Sequence, residues 1–179
     1  MDEATLYKLR YPIGEFEPKD SYSIAERAAN ITTIRELPQK LVRAVETLND
    51  SQLDTPYRDG GWTVRQVVHH LPDSHMNAFI RQRLALTENN PTIKPYDEAQ
   101  WATFTDNTRA PVALSLSLIS GLHERWALML ESLTEEQLHR TYEHPESGVW
   151  TLEQSIADYA WHCDHHLAHI TELKKRMNW

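Results

Sequence analysis

The chain is poor in cysteine. Cys163 stands alone, so no intrachain disulfide can form, and a small disulfide-stapled secreted scaffold is excluded. It also lacks long apolar runs: none approaches the roughly 18–20 residues that span a bilayer. The mean hydropathy of -0.60 agrees with that, and no membrane partner is expected. Residues 1–18 mix charges into every few positions and have no continuous apolar stretch of the signal-peptide kind. These absences together favour a cytoplasmic location. Cations are in the minority, 18 Lys and Arg against 26 Asp and Glu, for a formal net charge of -8. With no basic block, a nucleic-acid backbone is not an expected partner. Strand signals are scarce, and there is no internal repeat, low-complexity segment or interdomain linker.

What is present suits one all-α domain over residues 1–179, since 40% apolar residues is enough for one sizeable core. Residues 1–22 read as an extended N-terminal arm broken by Pro12, Gly14 and Pro18. A first helix is predicted from about Ser23 to Leu48, with Ile31, Ile34, Leu37, Leu41, Val45 and Leu48 at three- and four-residue steps. Pro38 should kink it or split it in two. The Thr63-x-x-Gln66 capping box opens a second helix running to about Thr87, again with an internal proline, Pro72. Residues 89–111 form a long connection holding Tyr96, Trp101 and Phe104, long enough to suggest a functional role. A third helix is predicted over 112–132, a short one from Thr134, and a turn at His144 to Gly148. A last helix, capped by Thr151-x-x-Gln154, continues to about Met177. Four long helices with one long crossover make a four-helix bundle.

Ten histidines and six tryptophans are high for this length. The densest cluster is on the last helix, where each residue advances about 100°. Leu152, Ile156, Tyr159, Cys163, Ile170, Leu173 and Met177 form a core stripe, and His166 lies on it. His162 falls near its edge one turn earlier, His169 lies further round, and His165 points most nearly to the opposite side. Histidines four apart share a face and can bind one ion. The Glu of the helical zinc-protease motif is missing, so a metalloprotease is not implied. A third ligand must come from the second helix, where spacing divides evenly between His70 and His75 and turns His69 away.

These residues resemble a known family. Asp50 to Asn77 (DSQLDTPYRDGGWTVRQVVHHLPDSHMN), Tyr11 to Glu15, Lys94 to Glu98 and His165 to Leu173 look like the YfiT family of metal-dependent hydrolases, within the DinB-like superfamily. The resemblance implies an up-down-down-up four-helix bundle, a homodimer, and one divalent metal on His70, His162 and His166. Zinc is the metal expected from it, with nickel able to occupy such a site. Two positions depart from the pattern: Pro72, two residues after His70, and Asp164 within the histidine run.

A three-histidine site leaves a cation its full charge, which lowers the pKa of a bound water from about 15.7 toward roughly 7 and suits hydrolysis of a small-molecule substrate. Asp73, His75, Asp164 and His169 lie within helical reach as proton acceptors, unranked. The competing enzyme reading is a bacillithiol-type thiol S-transferase, in which the site presents a thiolate to an electrophile. A non-catalytic metal-binding stress protein is the third, and would need a fourth ligand such as His75 or His169. Cys163 reads as a small buried hydrophobe. Trp126, Tyr159 and Trp161 read as core, Trp62 as a loop anchor, and Arg58 and Asp59 as a mutual pair. His123, His139 and His144 receive no role.

Overall fold

The computed structural model describes residues 2–179; Met1 lies outside them. Four long helices carry the fold: α2 (Ile24–Val45), α4 (Val64–Thr87), α7 (Val112–Glu131) and α9 (Leu152–Met177). Short helices join them: α1 (Glu3–Arg10), α3 (Asp50–Leu53), α5 (Glu98–Trp101), α6 (Thr105–Arg109) and α8 (Glu135–Leu138). Ser23, Thr63 and Thr151 each accept from the backbone three residues on, while Glu26, Gln66 and Gln154 reach back to the cap N–H. Each such box satisfies two orphan donors and contributes about 1 kcal/mol.

Cross-bundle contacts fix the directions. Arg27 meets Glu153 near the starts of α2 and α9, and Lys174 Nζ donates to the Ala44 carbonyl near their ends, so these helices are parallel. Gln82 of α4 reaches Ser155, near the start of α9, so α4 runs against α9. His69 meets Ser115 and Gln82 meets Trp126, so α4 and α7 are parallel. The topology is therefore up-down-down-up. Because α4 and α7 run the same way, residues 88–111 must climb the whole bundle to connect them. Ile93 N–H donates to the Glu143 carbonyl at the lower end. At the upper end the Ala102 and Ala110 carbonyls accept from Gln66 and Arg65.

Ile34, Leu37, Leu41, Val64, Val67, Val68, Leu71, Ile119, Trp126, Cys163 and Ile170 pack at the centre. Burying one leucine or isoleucine there is worth about 2 kcal/mol. Pro38 and Pro72 interrupt neither helix: α2 and α4 each run through as one element, so of the kink or split expected at Pro38 the split does not occur.

Two expectations need correction. The arm is not wholly extended: Asp2 caps α1 by accepting from Thr5 N–H, and the chain straightens only afterwards. A strand pair is also present, β1 (Thr141–His144) and β2 (Gly148–Thr151), an antiparallel hairpin in which Tyr142 opposes Trp150. Residues 11–22 then run antiparallel along α9. His169 Nε2–H donates to the Arg10 carbonyl, Trp161 Nε1–H to Gly14, and Gln154 to Lys19. Thus α9 is covered on two faces.

Candidate metal centre

His70 sits in the second turn of α4, and His162 and His166 one turn apart on the antiparallel α9. Their ring centroids are 5.5 Å (His70–His162), 4.8 Å (His70–His166) and 4.4 Å (His162–His166) apart. One ligand atom from each lies within 4.8 Å of the other two. Pro72 has not turned His70 away. Among the described residues neither the His70 nor the His166 ring has a hydrogen-bond partner, and His166 Nδ1 is fully buried without one. Burial above all, and then neighbouring histidines, holds the pKa of His70 at about 4 and those of His162 and His166 well below the usual value. Buried neutral imidazoles with idle lone pairs are costly unless something accepts them. A divalent cation of the zinc, nickel, copper or iron kind suits this nitrogen set.

The rings border an open cavity of about 650 Å³. Trp62 lies 4.7 Å from His70 and faces the same space, so it does more than anchor its loop. Three arginines line the wall, Arg10, Arg58 and Arg81, against two glutamates, Glu98 and Glu146. The Nε atoms of Arg58 and Arg81 are buried without a partner. Arg58 does not pair with the Asp59 carboxylate; its Nη1 donates to the Asp59 backbone carbonyl.

The four proton-acceptor candidates part company here. Asp164 is exposed and Asp73, whose Oδ2 accepts from Asn107, is half-buried, and both lie off the cavity wall. His75 lies neither in the group formed by His70, His162 and His166 nor on the cavity wall. It is fully buried behind the site, with Nδ1 against His123 and Nε2 against His162. His169 alone of the four lines the cavity, its ring stacked on Tyr57 at 3.9 Å. Its Nε2–H is held by the Arg10 carbonyl at 3.0 Å, which leaves Nδ1 buried and unpartnered. His165, expected to face outward, is buried and also lines the cavity, stacked on Trp161 at 4.4 Å beneath Tyr11. The helical wheel placed both rings off the core stripe because it assumed one buried face. His69 does point away from the cavity, bonded to Ser115 and the Ala110 carbonyl. His123, given no role from sequence, is fully buried between His75 and the Ile34 carbonyl. A lone histidine on α7 carried no signal of this.

Two further groups could geometrically hold a cation. His75, His123 and Cys163 are poor ligands: both nitrogens of each ring are engaged, and burial drives the thiol pKa well above its usual value. His165, His166 and His169 share His166 with the first group and lie on one helix. Cys163 itself is a core residue, as expected.

An up-down-down-up bundle with histidines of two antiparallel helices gathered beside a cavity defines a class of metal-binding helical protein. The chain belongs to the DinB superfamily, whose family model matches residues 33–170. It is 52% identical over 176 residues to Bacillus subtilis YfiT, covering 98% of this chain and 99% of that protein. It is 53% identical over 171 residues to proteins of Bacillus cereus and Bacillus thuringiensis, covering 96% of this chain and 98% of theirs. All three are provisionally named metal-dependent hydrolases. The solved structure of Bacillus subtilis YfiT superposes with a TM-score of 0.94 at 52% identity, over 96% of this chain and 99% of that one. It is described as a probable metal-dependent hydrolase with an unusual four-helix bundle topology. A four-helix bundle protein, TT2238, matches at 16% identity and TM-score 0.56, over 82% of this chain and 98% of that one, a likeness of fold alone. No helix among the described residues is long and apolar enough to cross a membrane.

Proposed function

We propose that this protein is a hydrolase that holds one divalent cation, zinc or nickel, on His70, His162 and His166. The observation that carries this reading is the meeting of three neutral rings from two helices, two of them buried and His162 partly so, at the wall of an open cavity. Three protein ligands are the number found in sites that keep a position for water or substrate. When bound, the ion supplies Lewis acidity, lowering the pKa of water toward roughly 7 and polarising the electrophile.

The chain's own groups do the rest. His169 takes a proton at Nδ1, because its Nε2–H is committed to the Arg10 carbonyl. Arg58 and Arg81 line the same wall, and their positive charge orients an anionic group of the substrate. Trp62 and Tyr57 offer apolar surface beside the histidines and keep bulk water from that side. The substrate class this wall supports is a small ester or amide bearing a carboxylate or phosphate.

The test offers metal-loaded protein an activated ester carrying a carboxylate, and separately an alkylating electrophile with and without a small thiol. Ester hydrolysis without thiol is the expected result, and His169→Ala should lower its kcat by about 10²–10⁴-fold at unchanged metal content. Turnover that strictly needs the thiol would replace hydrolysis by thiol transfer. A fully ligated ion with no exchangeable water would replace it by a binding role, with His169 as fourth ligand.

A further inference from the structure

Behind the three-histidine group a line of hydrogen bonds runs from His162 into the core. The Ile34 carbonyl meets His123 Nδ1, His123 Nε2 meets His75 Nδ1 at 2.7 Å, and His75 Nε2 meets His162 Nδ1 at 2.9 Å. His75 and His123 are both wholly buried. Four elements are therefore joined, from α2 through α7 and α4 to α9.

Hydrogen-bond chemistry fixes the direction of this line. A carbonyl oxygen can only accept, so His123 must carry its proton on Nδ1. In a neutral ring the other nitrogen is then bare, so His123 Nε2 accepts and His75 Nδ1 donates. By the same rule His75 Nε2 accepts and His162 Nδ1 donates. His162 is left with its one remaining lone pair on Nε2. His75 and His123 are wholly buried and bonded only to each other, to His162 and to a carbonyl, so a charge on either ring would be uncompensated and both are neutral.

The origin of the line is a proline. In an α-helix the Ile34 carbonyl would accept from the N–H of residue 38, but Pro38 has none. The carbonyl is freed inside the bundle, where an unsatisfied acceptor is costly, and His123 fills it. The element that sequence alone marks as a helix breaker thus serves as a fixed electrostatic anchor.

We propose that Ile34, His123 and His75 form a buried relay that sets the tautomer of His162 and so presents its Nε2 lone pair to the cation. His75 and His123 are positioning residues: they touch no substrate and act through His162. The inference rests on the reading of His162 as a ligand. Partners behind a ligating imidazole typically change metal affinity by about 10–100-fold.

The test has two readouts that do not depend on turnover. Long-range proton–nitrogen NMR spectra of the metal-free protein should show His162, His75 and His123 all protonated on Nδ1. His162 protonated on Nε2 would overturn the relay without any variant having to fold. Chelator competition then compares His75→Leu with His75→Gln. Leucine removes the acceptor behind His162 and should weaken metal binding by about 10–100-fold. Glutamine can accept from His162 with its oxygen and donate to His123 with its nitrogen, so it should restore affinity most of the way to wild type. Equal affinity in wild type and His75→Leu would overturn the role toward the metal. Undiminished metal content in both His70→Ala and His166→Ala would instead overturn the ligand reading beneath it, and the NMR pattern would still report on the relay itself.

Discussion

Two buried polar groups sit at different heights in the same bundle, and they differ in how their hydrogen bonds close. In the lower one, Trp126 Nε1–H donates to Gln82 Oε1 at 2.7 Å. Gln82 Nε2 donates to Ser155 Oγ at 3.1 Å, and the Tyr142 hydroxyl donates to the same Ser155 oxygen at 3.2 Å. Every side chain there has a partner. In the upper one, His70 and His166 have none, and His165, His166 and His169 each keep a buried Nδ1 without one. Both groups are rich in polar atoms and largely buried, although the upper one borders the cavity. The closed group joins helices to a hairpin, whereas the open group keeps ring nitrogens that no described residue satisfies. Buried polarity by itself therefore says little about function; unfilled valence is what marks a site.

The largest expected effect breaks the open group. His166→Ala should abolish stoichiometric metal binding while leaving helix content nearly unchanged, read by elemental analysis and circular dichroism on the purified variant. Full metal content would contradict it. The reciprocal change breaks the closed group: Gln82→Leu leaves the Trp126 N–H unsatisfied. It should cost about 1–3 kcal/mol in urea unfolding and leave metal affinity alone. A large loss of metal in that variant would erase the distinction between the two groups.

The pH dependence of the metal-free protein sharpens the same contrast. His70, His123 and His169 have folded pKa values near 4 and His165 near 3, against about 6.5 in an unfolded chain, chiefly because burial disfavours the charged ring. Between pH 6.5 and these values the unfolded chain binds more protons than the folded one, so stability is lost as pH falls through that window. Asp158, raised to about 7 by burial, and Asp73 and Asp164, raised for the same reason, work the other way, but the lowered histidines outnumber them. Urea midpoints should therefore drop steeply between pH 6.5 and 4 for the metal-free protein. A flat profile would mean that the histidines are not buried neutral. The smallest expected effect is that of Cys163→Ala. It removes only a buried sulfur, so it should cost about 1 kcal/mol and leave metal content and turnover unchanged.

Much of the frame was legible in the residues. Thr63, Thr134 and Thr151 announced their helices by capping boxes, and the α9 stripe located the core. The pairing of His162 with His166 followed from spacing alone. The choice between His70 and His75 did not, because both lie inward on α4; what separates them is which neighbour each meets, a property of three helices at once. His123 was invisible for the same reason: its partner is a backbone carbonyl 89 residues away. The hairpin escaped because its four-residue strands are held by docking. Tyr142 is buried against Ser155 and Glu143 is bonded to the crossover, and no alternating pattern marks them. The burial of His165 and His169 escaped because the N-terminal segment supplies α9 with a second cover that periodicity cannot foresee.

The parallel course of α4 and α7 has one more outcome. No tight turn can join two helices that point the same way, so the stretch between them is long by necessity. Its path takes Pro95, Tyr96, Glu98 and Ala99 along the rim of the cavity. The three-histidine group sits on α4 and α9, while this rim belongs to the stretch of crossover between its pins at Ile93 and Ala102. Preference for one molecule over another can be rewritten in that stretch while the inner chemistry stays as it is.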